Sequence, residues 1–275
     1  MTRLLRADFS RLWKSKSFII CLIIAALDAP AAVFSTYLND KECVERLGSM
    51  ILSRGTDVMF IASIFTALYL GTDHSNGTLR NKLMIGHTRL SVYSANLITV
   101  LAGTFMCAAA NWLAMLASGL IMGGSFGMSA EDFLKCATVY VCAIAALCAV
   151  NTLIGILLTV KSSAVVVTLT LMLGTMMISA SLTSLLGRKT GGGMVNVVLG
   201  GSEDMFADEN SDFYVKGTRR MVYNLINNIM PCGPMYRISG GAMPEDGGML
   251  PAYSLGVTAV STAIGSVVFL RKDLK

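Results

Sequence analysis

Six stretches of this chain stay apolar for roughly twenty residues each, at about 17–38, 55–72, 95–122, 133–160, 163–186 and 251–270. A hydrocarbon core of roughly 30 Å offers no water, so a crossing segment must satisfy its own backbone polar groups, as a helix of about 20 residues does. The recurring length specifies an all-α integral membrane protein with six transmembrane helices. Composition agrees, with 54% of the 275 residues hydrophobic and 14% charged, against about a quarter charged in a soluble domain. The second stretch is the weakest, because its uninterrupted apolar run is only Val58 to Leu70, with Arg54 and Asp57 just outside it. The first is long, holds Asp28 and Pro30 at its centre, and reads as an anchor rather than a cleaved leader.

Lys and Arg are divided unevenly between the loops. Placing both termini inside gathers Arg3, Arg6, Arg11, Lys14, Lys16, Arg80, Lys82, Arg89, Lys161, Arg271, Lys272 and Lys275 on one side, against only Asp8, Asp73 and Asp273. The other side then holds more acids than bases. Short cytoplasmic loops retain Lys and Arg, so the pattern predicts a multi-pass protein of the bacterial plasma (inner) membrane with both termini cytoplasmic. The formal net charge of +5 is an asymmetry across the bilayer and does not call for a nucleic acid.

Residues 1–16 read as a helix lying in the inner interface, with Leu5, Phe9, Leu12 and Trp13 on its apolar side and Arg3, Arg6, Arg11 and Lys14 around the rest. The outer loops are unequal: residues 39–54, a short turn around Gly123-Gly124, and a large region at 187–250. That last region contains Gly191-Gly192-Gly193 and an acidic stretch from Glu203 to Asp212. It also holds an amphipathic helix with Met221, Val222, Leu225, Ile226, Ile229 and Met230 on one side, Asn224, Asn227 and Asn228 opposite, and Pro231 at its end. The helix is too short to cross, so it is expected on the outer interface, part-way into the bilayer, or packed on an outer lid. Cys43 and Cys232 fall in outer loops, a placement that permits a bridge. The Ala, Gly and Ser content of the third to fifth spans, Gly174 included, argues for close helix packing.

The chain lacks the marks of catalysis. It has no HExxH, no Cys or His spacing suited to a metal, and no GxxxxGK[ST] to cradle nucleotide phosphates. Any ATP and Mg must therefore be handled by another chain. Within the spans, Asp28 costs most to bury and is expected either at a pathway or subunit interface or, with no transport role, protonated or bonded to a neighbouring span, with Asn111 and Asn151 as cheaper polar groups between helices.

The inner segment between the second and third spans is the most informative loop. Asp73-His74-Ser75-Asn76-Gly77-Thr78-Leu79-Arg80-Asn81-Lys82-Leu83 reads as a turn into a short basic helix, with Thr78 placed to cap it and Leu79 and Leu83 sharing a face. Gly86-His87-Thr88-Arg89 follows.

Taken in order, three elements resemble the ABC-2 type permease family, the membrane subunits of ATP-binding-cassette exporters. They are Phe9-Ser10-Arg11-Leu12 with Lys14-Ser15-Lys16 before the first span, the Gly77 to Lys82 and Gly86 to Arg89 motifs after the second, and the Phe269-Leu270-Arg271-Lys272-Asp273-Leu274-Lys275 ending. The resemblance spans essentially the whole chain and implies one permease domain, 1–275. By that resemblance the segment 73–92 is the coupling helix gripped by an ATPase subunit, and Gly77, Thr78, Arg80, Lys82, Gly86 and Arg89 serve ATPase coupling. It also implies short re-entrant helices in the outer region and a second permease copy or paralogue as partner within the lipid bilayer. The cargo is expected to be an amphipathic peptide or drug-like compound, moved outward by ATP and Mg used in the partner subunit. The sequence departs from the family by carrying Asp73 where a Glu often precedes the Gly-Thr pair. An alternative is a non-transporting membrane sensor or assembly factor that docks a soluble regulator on the same helix.

Overall fold

The computed structural model describes residues 2–39, 47–158, 160–187, 218–239 and 247–271. Cys43, the Gly191-Gly193 run, the Glu203–Asp212 stretch and the tail from Lys272 lie outside the described residues. Regular structure within them is entirely helical: α1 Thr2–Lys14, α2 Lys16–Asn39, α3 Leu47–Ser53, α4 Gly55–Ser75, α5 Thr78–Met84, α6 Arg89–Ile121, α7 Ala130–Leu157, α8 Lys161–Gly187, α9 Thr218–Ile229, α10 Gly233–Ile238, a single 3-10 turn at Gly247–Met249, and α11 Leu250–Arg271. Six stretches are long and apolar enough to cross a membrane: Lys16–Leu38, Leu47–Ser75, Arg89–Ile121, Ala130–Leu157, Lys161–Leu186 and Gly247–Arg271.

The second crossing is longer than the apolar run predicts. Helices α3 and α4 follow one another across Arg54, whose φ and ψ of −78 and 2 degrees lie in the bridge region, while its N–H donates back to the Met50 carbonyl of α3 at 3.3 Å. The Val58 N–H still donates to the Arg54 carbonyl at 3.4 Å. Arg54 and Asp57 therefore fall inside the span, where they pair at 3.1 Å. Mutual pairing makes two charges tolerable at that depth. The first N–H groups of α3, which have no partner in their own helix, donate to the turn after α6: Leu47 to the Ser125 carbonyl at 3.1 Å and Gly48 to Phe126 at 3.0 Å.

Helices α4 and α7 form the centre. Their most apolar stretches are 61% and 67% buried, against 17% for α8 and 22% for α11. Helix α4 touches α2, α6, α7 and α8, and α7 carries α11 on its other side. Val139, Tyr140, Ala143, Ile144 and Leu147, at helical spacing on one face of α7, are all buried. The Gly174 position has no atom within 4 Å of where a Cβ would stand, so that glycine is not a packing notch in α8.

Of the two amphipathic helices, α1 faces differently from expectation and α9 shows which of its sides is inward. In α1 the buried line is Leu4, Asp8 and Leu12, while Trp13 is 59% exposed. The buried carboxylate is the cause, because Asp8 pairs with Lys82 of α5 at 2.7 Å, while its backbone carbonyl accepts from Tyr69 Oη of α4. In α9 the polar side turns inward. Asn227 and Asn228 are buried, whereas Met221, Val222, Leu225, Ile226 and Ile229 are exposed. Asn227 donates from Nδ2 to Thr183 Oγ1 at 3.0 Å, and Arg237 of α10 donates to Asn228 Oδ1 at 2.6 Å. Beside lipid the apolar face is the one that belongs outside.

Cys232, expected in an outer loop and available for pairing, is a free thiol with no exposed surface. Its Sγ lies 3.4 Å from both Met172 Sδ and Thr175 Oγ1 of α8. Burial pushes the thiol up to about 11.

Candidate functional site

Helix α4 ends at Ser75, and the chain reverses at Gly77, whose φ of 65 degrees lies in the left-handed region that glycine enters without strain. Thr78 does not cap α5, as its position suggests. Its hydroxyl donates backwards to the Asp73 carbonyl at 2.9 Å and so closes the end of α4. Helix α5 then lays Leu79, which is buried, and Leu83 against the cluster formed by Leu4, Val92, Tyr93 and Phe269. The shared leucine face read from the sequence is therefore the inward face.

Polar groups from four helices meet behind α5. Lys82 Nζ reaches Asp8 Oδ1 of α1 at 2.7 Å and Asn96 Oδ1 of α6 at 3.0 Å, and lies 4.0 Å from Asp73 Oδ2. Arg11 Nη2 pairs with Asp73 Oδ2 at 2.6 Å and donates to Tyr69 Oη at 2.9 Å. It stands 3.6 Å from Asp8 Oδ1, and its guanidinium carbon lies 5.1 Å from the centre of the Tyr69 ring. The Asp8 and Asp73 side chains are only 3% and 4% exposed. Two cations and two carboxylates make the cluster neutral, the condition under which buried charges are tolerated. Burial opposes the charge on Arg11, but Asp73 and the Tyr69 oxygen outweigh it and raise the guanidinium further above its ordinary range.

The six residues assigned to coupling thus have different surroundings. Arg80 is exposed beside exposed Asn81, and the same end of α5 carries Met84 and Ile85 at 76% and 77% exposure. Lys82 points into the charge cluster. Arg89 donates from Nη1 to the Phe269 and Leu270 carbonyls, both at 3.1 Å, satisfying the last turn of α11. Gly77 and Gly86 both have positive φ, with open space around them. Thr88 caps α6 by accepting from the Ser91 N–H at 3.3 Å. These contacts bring α1, the turn after α4, α5, the start of α6 and the end of α11 to one basic end of the bundle.

The residues within the spans lie apart from that end. Asn111 donates from Nδ2 to the Ala25 carbonyl at 2.9 Å and approaches Asp28 Oδ2 at 3.5 Å. Asn151 joins α7 to α4 by donating to Ser63 Oγ at 3.0 Å. Asp8, Arg11, Tyr69, Asp73 and Asn96 are site residues that the sequence reading missed in that role. The available signal was Asp8 set between Leu4 and Leu12 at four-residue spacing, a carboxylate in the line of a buried face. Among the described residues no group of three or more His, Cys, Asp or Glu side chains is placed to hold a metal ion. No protein-family model and no curated protein matches this chain.

Proposed function

We propose that the chain is the membrane subunit of an ATP-driven exporter, with α5 as the element that receives force from a separate ATPase. The observation that carries this reading is the contrast between the two sides of α5. Its outer side offers a cation, an amide and two large apolar groups at Arg80, Asn81, Met84 and Ile85. Its inner side is locked to α1, α4 and α6 by the Lys82, Asp8, Arg11 and Asp73 cluster. A docking surface transmits a push only if it is stiffly joined to the spans, and a buried network of charge-assisted hydrogen bonds provides such a joint. The ABC-2 permease resemblance and the absence of a phosphate-cradling motif in the sequence support the same division of labour.

In this reading the basic end faces the cytoplasm of a bacterial plasma membrane, in keeping with the distribution of Lys and Arg. Two copies, or this chain and a paralogue, enclose a pathway. Closure of two ATPase subunits pushes α5, tilts α4 and α6 with it, and opens the pathway outward to an amphipathic peptide or drug-like cargo.

The test is charge reversal on the outer side alone. Arg80→Glu with Met84→Glu is expected to abolish co-purification of the ATPase and its stimulation while leaving the thermal unfolding of the chain unchanged. Lys82 is unsuitable for this purpose, because altering it damages the brace. Intact complex formation and ATPase stimulation in the double variant sink the coupling assignment. A soluble regulator without a P-loop, captured on the same face, favours the sensor reading instead.

A further inference from the structure

Asp28 lies in the first span, where a lone carboxylate is costly, and its surroundings do not neutralise it. Arg54, the cation that acts on Asp28, already pairs with Asp57 at 3.1 Å. Asp28 lies in the electrostatic range of both members of that pair. With Asp28 and Asp57 ionised and Arg54 charged, the cluster carries one net negative charge.

A second observation points to a ligand. Asn111 has no exposed surface and its Oδ1 has no hydrogen-bond partner. The orientation of this amide is fixed, because the Ala25 carbonyl can only accept and therefore takes the Nδ2 hydrogen at 2.9 Å. The same amide stands at 3.5 Å from Asp28 Oδ2. An unsatisfied acceptor, fully buried, thus adjoins a carboxylate without a dedicated cation, and a buried acceptor left unpaired is destabilising. Asp28 is half-buried, and Ile24 and Ala31, one turn to either side of it, are exposed. The Asp28 side of the site is therefore open to the exposed apolar surface of α2.

We propose that Asp28 and Asn111 receive the ammonium head of a cationic amphipath, whose hydrocarbon part lies along the exposed row of α2. A primary ammonium has three N–H donors. The two Asp28 oxygens and Asn111 Oδ1 supply three acceptors. A hard divalent cation fits poorly, since it takes six or more oxygen ligands. This deepens the export reading by giving the cargo its charge, and it rests on that reading only for the word cargo.

The experiment uses the full chain in nanodiscs, with saturable binding of radiolabelled dodecylamine as readout and dodecanol and dodecyl sulfate as competitors. The expected result is displacement by unlabelled dodecylamine but by neither competitor, and at least a tenfold loss of affinity in Asp28→Asn. Asp28→Glu should retain most binding. Asp57→Asn releases Arg54 to turn toward Asp28, and should weaken binding without altering Asp28 itself; this second variant decides the matter if Asp28→Asn fails to fold. Unchanged affinity in a folded Asp28→Asn or Asp57→Asn variant, equal competition by dodecanol, or no saturable binding to the wild-type chain overturns the proposal. The assay needs no ATPase. Ammonium binding without ATPase coupling counts against the export reading alone, and coupling without ammonium binding counts against this site alone.

Discussion

Removing one carboxylate from the Asp8, Arg11, Asp73 and Lys82 cluster leaves a buried cation without its partner. Breaking a buried pair in this way costs about 3–5 kcal/mol, whereas replacing both partners by apolar groups of similar size is close to neutral. Asp73→Asn should therefore lower the thermal unfolding temperature of the detergent-purified chain substantially. Asp8→Leu combined with Lys82→Met should recover most of the stability that Lys82→Met alone loses, while a simple sum of the two single losses contradicts the account. The sequence marked these four residues as charges on one side of the membrane, with Lys82 assigned to coupling, and not as partners of one another. Their pairing was illegible because Arg11 and Asp73 are 62 positions apart and meet only when α1 folds back on α4. Lys82 and Arg89 were read as outward-facing for the same reason, since a basic side chain looks alike whether it meets water, a partner protein or the end of α11. Arg80, whose neighbours are also exposed, is left open to a partner.

Periodicity found the helices with less ambiguity than it found their directions. The amphipathic repeat of α9 was legible from Met221 to Met230, but an inward apolar face presumes water outside. Here Thr183 and Arg237 supply polar partners inside, so the asparagine side turns in. Spin labels at Val222 and Ile226 should collide with oxygen dissolved in the bilayer and be shielded from a water-soluble nickel reagent. The reverse pattern means that the apolar side is covered by protein. The junction after α9 is equally specific. A Cβ on Gly233 would collide with the Asn227 carbonyl oxygen, a backbone atom that cannot swing aside. Gly233→Ala should cost about 1–3 kcal/mol, the usual range for overpacking, seen as a lower unfolding temperature and faster proteolysis between α9 and α10. The break at Arg54 shows the limit of counting apolar residues. The run from Val58 underestimates the second span because a charge pair can satisfy itself within the helix.

At the scale of the whole molecule, the six apolar stretches gave the architecture directly, because a bilayer admits so few alternatives. The order of burial did not follow from them, as the spans are similar in apolar content and differ in what surrounds them. The large exposed apolar faces of α2, α8 and α11 are left for lipid or for a second copy. The opposing ends are also distinct, one built from α1 and α5 around the charge cluster and the other closed by α3, α9 and α10. The central claim is that energy enters through the outer side of α5. The most direct measurement is ATP hydrolysis by the P-loop protein that co-purifies with the tagged chain from native membranes, reconstituted with either wild-type chain or the Arg80→Glu, Met84→Glu variant. The account predicts stimulation by the wild type and at least a tenfold loss of it in a variant that unfolds at the wild-type temperature. Equal stimulation by the two chains, or wild-type chain that brings down no P-loop protein, contradicts it.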